Sequence, residues 1–156
     1  MNSEIERYLK YLESLGYAPR TILLNKDMLK YFKNWCLERG VESALEAHEM
    51  TMERYQKYLY HYRKEDGNPL SFVSQHIRLR VVKNFFAYLY VSGYLSANPA
   101  SKIKLPKKPT KLPVVLSEIE AMKILSIPDT TSVVGIRDKA ILELLFSTGL
   151  RVSELT

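Results

Sequence analysis

Between Ser71 and Ser92 the apolar residues Phe72, Val73, Ile77, Leu79, Val81, Val82, Phe85, Phe86 and Leu89 lie one to four positions apart, with adjacent pairs at 72–73, 81–82 and 85–86. That spacing is a broad helix face and does not fit the period of two that a half-buried strand requires. A long helix with so much apolar surface needs neighbours to cover it, and the preceding sequence supplies three. The spacing predicts helices over 2–15 (Ile5, Tyr8, Leu9, Leu12, Leu15), 21–39 (Ile22, Leu29, Phe32, Trp35 and Cys36, with Met28 at the edge) and 51–64 (Met52, Tyr55, Tyr58, Leu59, Tyr62). Gly16 and Gly40 read as stops, Pro19 as a breaker, Thr21 as an N-cap, and Asp66-Gly67-Asn68-Pro69 as a turn. Residues 41–50 form a connector. No strand alternation occurs in residues 1–94, so they are expected to form an all-α, four-helix domain with short connections.

Residues 95–115 read as a linker. Asn98-Pro99, Pro106, Pro109 and Pro113 oppose regular helix, and Lys102, Lys104, Lys107, Lys108 and Lys111 crowd the segment with positive charge. A second region, 116–156, opens on a capping box, with Ser117 at N-cap and Glu120 at N3. Its first helix ends by Pro128. The next runs over 132–147 with Ile136, Ala140, Ile141, Leu144 and Leu145 expected to be buried. Gly149 stops it, and Ser153-Glu154-Leu155 begins another.

Charge is divided unevenly between these regions. Residues 1–111 hold 19 Lys and Arg against 11 Asp and Glu, whereas residues 112–156 hold 4 against 6. Basicity concentrated in one segment points to a polyanionic partner, nucleic acid first. Two helices carry basic stripes at i, i+4, i+7: Lys26, Lys30 and Lys33, then His76, Arg80 and Lys83. A helix fits the major groove of DNA, where such cations reach phosphates and nearby amides such as Gln75, Asn84 or Asn25 reach base edges. Lys107 and Lys108 extend the candidate surface into the linker. A basic stripe is also what the solvated face of any amphipathic helix looks like, and spacing alone leaves both readings open. The single cysteine, Cys36, lies in an apolar stretch and reads as a small buried hydrophobe. Cysteine usage and the absence of a signal-peptide pattern fit a reducing, cytoplasmic setting. No apolar run reaches the roughly 18 residues of a membrane span. No histidine pairs with the cysteine at metal-binding spacing, so no metal site is expected.

Arg151 follows the Gly149 stop and precedes a helix start. A guanidinium held on such a turn offers a planar fork of donors that matches two phosphate oxygens, and Glu154 is placed to orient it. An ordinary salt bridge at a helix terminus would use the same residues.

The order of these pieces resembles the tyrosine recombinase (phage integrase) family, and its Xer-type members in particular. The residues that carry the resemblance are 112–120 (LPVVLSEIE), 136–146 (IRDKAILELLF) and 147–155 (STGLRVSEL). Upstream they are Thr21-Ile22 with Leu29 and Phe32, the stretch Lys83 to Leu89 (KNFFAYL) and Asn98-Pro99-Ala100. Asn25 departs from the pattern, since many relatives carry an aromatic there. The resemblance implies an N-terminal, SAM-like core-binding domain over 1–94, the 95–115 linker, and the first helices of a mainly α-helical catalytic domain over 116–156.

Several functional expectations follow from that resemblance. Arg151 matches the first of two catalytic arginines that bind the scissile phosphate. The parent enzyme would cut and rejoin DNA through a 3′-phosphotyrosyl link, with no metal or nucleotide cofactor, because the covalent bond conserves the phosphodiester energy. The family's remaining catalytic residues, including the tyrosine nucleophile, match nothing in this sequence. All eleven tyrosines lie at or before Tyr94, and none matches the nucleophile. The chain is therefore expected to be a catalytically inactive fragment that binds double-stranded DNA, with other recombinase protomers as partners in a homo- or hetero-tetramer. In relatives the second and fourth helices cross the major groove, and those are the two helices here that carry basic stripes. The alternative is a helical protein-interaction module that pairs recombinase subunits through helix 2–15. Without the rest of a catalytic domain to pack on, Ile141, Leu144, Leu145 and Phe146 are expected to form an exposed apolar patch.

Overall fold

The computed structural model describes residues 1–107, 112–113 and 115–155. Among them the regular structure is all-helical, and the only β-type pairing is an isolated bridge between Arg63 and Pro69. Among the described residues no helix is long and apolar enough to cross a membrane. The chain divides into two units, Met1–Thr110 and Lys111–Thr156.

The first unit contains α1 (Asn2–Ser14), α2 (Pro19–Leu37), a 3-10 turn (Ala44–Glu46), α3 (Glu49–His61) and α4 (Phe72–Val91). Two starts differ from expectation. Pro19 opens α2 instead of breaking the chain before it. A proline fits the first helical turn because its fixed φ suits the helix and the N–H it lacks has no partner there. Thr51 lies inside α3, where its Oγ1 accepts from the His48 N–H at 3.2 Å. At the other end of α3, the Arg63 guanidinium donates to the carbonyls of Tyr60, His61 and Tyr62 at 3.0–3.3 Å, partnering the orphan acceptors that every helix terminus leaves. Ser71 caps α4 as expected, its Oγ accepting from the Ser74 N–H.

The core forms where these helices meet. Leu29, Phe32 and Cys36 of α2, Leu59 of α3, and Phe85, Phe86 and Leu89 of α4 have no exposed surface. Phe32 lies edge-on to Tyr55 (4.9 Å between centroids) and to Phe86 (5.8 Å), which ties three helices through one ring. From α1, Ile5, Tyr8 and Leu12 complete the cluster. Burial pushes the Cys36 thiol up to about 12, against a smaller opposing pull from Arg39, so it remains protonated at neutral pH.

The first unit does not stop at residue 94. Ala100 and Ile103 are buried in its core, and Leu95 and Leu105 pack against it. Proline and lysine content correctly argues against helix here, but it hides the alternation of Ile103 and Leu105 with Lys102 and Lys104. One side of this non-helical stretch is apolar and is covered by α3 and α4.

The second unit contains α5 (Glu118–Leu125), α6 (Val133–Thr148) and α7 (Val152–Leu155). The Ser117–Glu120 capping box forms: Ser117 Oγ accepts from the Glu120 N–H, and the Glu120 carboxylate accepts from the Ser117 N–H. Gly135 has no room for a side chain, because a Cβ would lie 1.8 Å from the Asp129 carbonyl oxygen. The expected burial along α6 does not occur. Ile136, Ala140 and Leu144 are exposed, Ile141 and Leu145 are half-buried, and Gly135 is the one buried residue of the helix. Two helices and a short third cannot enclose an apolar stripe, yet the expected exposed patch forms only in part: Leu144 and Phe146 are exposed while Ile141 and Leu145 are half-buried, and Ile119, Met122, Val133, Val134 and Val152 are more than half exposed as well.

Candidate nucleic-acid interface

Helix α2 presents Lys26 and Lys30 to solvent, with Lys33 half-buried beside them. They line a groove against α1, together with Asn2, Ile5, Glu6 and Asp27. Lys33 Nζ donates to Asn2 Oδ1 at 3.2 Å, so part of its donor capacity is already used. Among the described residues, Lys26 and Lys30 join no ion pair or side-chain hydrogen bond. An ammonium left in this state can give all three donors to a phosphate. The amide of Asn25 is not available to a base, since Asn25 is buried and donates to the Thr21 carbonyl.

Helix α4 distributes its candidates differently from the spacing-based expectation. Gln75 is only 5% exposed, and its Nε2 donates to the Leu70 carbonyl at 2.8 Å. It therefore cannot reach a base edge; it satisfies the backbone just ahead of α4. His76 Nδ1 lies 2.9 Å from the Pro106 carbonyl, and Lys83 Nζ donates to the Ile103 carbonyl at 2.8 Å. A carbonyl only accepts, so Nδ1 carries the proton. Both side chains are half-buried against residues 103–106. Arg80, between them in sequence, is exposed and joins no ion pair among the described residues. Asn84 is also exposed. Of the α4 stripe, then, Arg80 is unengaged among the described residues, and His76 and Lys83 hold the chain's own backbone.

Lys107 is exposed, and Lys108 lies outside the described residues. Sequence reasoning did not single out Arg78, whose guanidinium stacks 4.1 Å from the Tyr31 ring centroid and so joins α4 to α2. The arginine and tyrosine types were visible, but the pairing spans 47 positions and no local pattern announces it. Gln56 and Lys104 were likewise overlooked as a pair, and the Gln56 amide donates to the Lys104 carbonyl at 2.9 Å.

In the second unit, Gly149 takes φ +66° and closes α6 in the left-handed conformation, where a side chain would be strained. Arg151 stands immediately before α7. Its N–H donates to Glu154 Oε2 at 2.8 Å and its Nη1 to Glu154 Oε1 at 3.3 Å. Its side chain is 82% exposed. One carboxylate thus caps α7 and steadies the guanidinium, leaving the other donors of the fork free among the described residues.

No family model matches the sequence. Individual relatives do. The chain is 38% identical over 152 residues to tyrosine recombinase XerC 2 of Ralstonia nicotianae, covering 97% of this chain and 44% of that protein. It is 37% identical to tyrosine recombinase XerC of Myxococcus xanthus (97% and 48%) and 31% identical to tyrosine recombinase XerC of Escherichia coli (99% and 50%). Among solved structures, the integrase from mycobacterium phage Brujita shares the fold with a TM-score of 0.58 at 23% identity, over 96% of this chain and 46% of that one. The chain spans about half the length of the curated relatives it matches. Helical architecture and sequence similarity along nearly the whole chain agree, and the protein belongs to the tyrosine recombinase family.

Proposed function

We propose that this chain is the DNA-binding portion of a site-specific tyrosine recombinase. The observation that carries the reading is the state of Lys26, Lys30 and Arg80. These three cations stand exposed and unpaired, among the described residues, on the second and fourth helices of a basic unit. Unengaged cations on helix surfaces bind phosphate with release of condensed counterions, which gives affinity and salt dependence without sequence preference. The relatives' names supply the class of reaction. In the whole recombinase a tyrosine oxygen attacks the scissile phosphate, the 5′ oxygen leaves as a hydroxyl, and a 3′-phosphotyrosyl bond forms. Arg151, steadied by Glu154, grips the nonbridging oxygens of that phosphate and neutralises the charge that builds in the transition state. No metal or nucleotide cofactor enters this scheme.

This 156-residue chain binds double-stranded DNA and does not cut it, because none of its tyrosines matches the family's nucleophile. The test uses duplexes containing the target site of a related recombinase. Fluorescence anisotropy should show salt-sensitive binding, and denaturing gels should show no protein–DNA adduct. A covalent adduct, or binding indifferent to salt, refutes the proposal.

One observation favours a second role, assembly with other recombinase protomers. Tyr11, Leu15 and Tyr17, near the end of α1, line a groove with Tyr88 and Val91 of α4, and Leu15 and Val91 are more than half exposed. Sedimentation without DNA tests this: concentration-dependent association abolished by Leu15→Glu supports it, and a monomer at all concentrations refutes it.

A further inference from the structure

Residues 102–106 follow the α3–α4 edge without helix or strand, yet their backbone is not left to solvent. Gln56 of α3 donates to the Lys104 carbonyl (2.9 Å), Lys83 of α4 to the Ile103 carbonyl (2.8 Å), and His76 of α4 to the Pro106 carbonyl (2.9 Å). Lys102 adds an ion pair with Glu49 at 2.8 Å. Carbonyls of an irregular segment ordinarily find their partners in water; here side chains from two helices supply them. The segment runs antiparallel to α4, because the earlier helix residue, His76, holds the later strap residue, Pro106. Arg80 lies between His76 and Lys83 along α4, as Lys104 and Leu105 lie between their partners Ile103 and Pro106 along the segment. Ile103 is buried and Leu105 half-buried beneath the strap, while Lys104 is exposed.

We propose that Gln56, His76 and Lys83 are positioning residues. They clasp residues 103–106 to the α3–α4 edge and fix Lys104 as a phosphate contact, and His76 and Lys83 do not themselves touch DNA. The DNA half of this proposal rests on the function proposed above; the clasp does not. An ammonium committed to a carbonyl has fewer donors left for a phosphate, and a lysine on a held backbone loses less freedom on binding than one on a free chain. A fixed strap therefore makes Lys104 a better phosphate ligand at the expense of Lys83.

The full chain tests both halves. Without DNA, trypsin cleavage after Lys104 is measured relative to cleavage after Lys57 within α3, so that general unfolding cancels. Lys83→Met and His76→Ala should raise the ratio at least threefold. Lys83→Arg, which keeps a donor, and Arg80→Ala should leave it unchanged. An unchanged ratio in the first two variants overturns the clasp. With duplex DNA, Lys83→Met should weaken binding in the parent sequence and have no further effect in a Lys104→Ala background. Additive losses would mean that Lys83 touches DNA directly and would overturn the positioning role. Failure of the unmodified chain to bind DNA overturns the proposed function, and the protease result still decides the clasp.

Discussion

Replacing Lys26, Lys30 and Arg80 together by alanine isolates the electrostatic part of DNA binding. On duplex DNA the slope of log affinity against log salt steepens by about 0.9 for each phosphate that the protein neutralises. If each of the three cations neutralises one phosphate, the triple variant has a slope shallower by about 2.7. Over a fourfold rise in salt, from about 50 to about 200 mM, the unmodified chain should lose roughly 40-fold more affinity than the triple variant. All three residues are exposed and join no ion pair among the described residues, so stability should change by no more than about 0.5 kcal/mol per substitution. Anisotropy titrations of a labelled duplex at four salt concentrations give the slopes, and thermal unfolding monitored by circular dichroism checks the fold. A slope that stays within about 0.5 of the original, with the fold intact, would show that these helices do not face the phosphates.

Three further outcomes follow from the first unit. Gln75→Leu removes the side-chain donor on the Leu70 carbonyl; leaving that acceptor unpaired should cost about 1–3 kcal/mol in urea unfolding, while the salt slope of DNA binding stays unchanged. Burial alone would raise the Glu4 carboxyl, but hydrogen bonds from the Met1 ammonium, Ser3, the backbone and Ser43 outweigh it and hold the group at about 2, below its ordinary 4.5. A carboxylate depressed on folding stabilises fully above its unfolded value and loses that contribution as pH falls toward the folded one, so stability should drop between about pH 4.5 and pH 2. Glu4→Gln should flatten that acid limb, and an unaltered limb would place the acid sensitivity elsewhere. Gly93 closes α4 at φ +76° with open space around it; Gly93→Ala should cost about 1 kcal/mol through backbone strain alone, a fall of about 5 °C in the thermal midpoint.

The helices and most of their ends were legible in the sequence because the forces that set them are local. The apolar period along 71–92, the Ser71 cap, the Ser117–Glu120 box and the Gly149 stop each act within a turn or two, and each appears where the spacing puts it. Pro19 shows the limit of that reasoning: the same residue can break a helix or begin one, and here it begins α2. Arg151 and Glu154 were also readable as a pair, since three positions separate them and they meet within one helix turn.

What the sequence by itself determined is an all-α chain with its basicity gathered in the first unit and an arginine held on a tight turn. Only the tertiary structure decided which cations remain available. His76, Arg80 and Lys83 have identical spacing credentials, yet Arg80 is free, among the described residues, while the other two hold carbonyls 30 and 20 residues away. Gln75 turned inward to the nearby Leu70 carbonyl, and Leu95, Ala100, Ile103 and Leu105 of the expected linker packed into or against the core. Periodicity specifies which face of a helix a residue occupies; it carries no information about which distant backbone will come to lie on that face, because that is settled by the burial of Ile103 and Ala100 against α3 and α4.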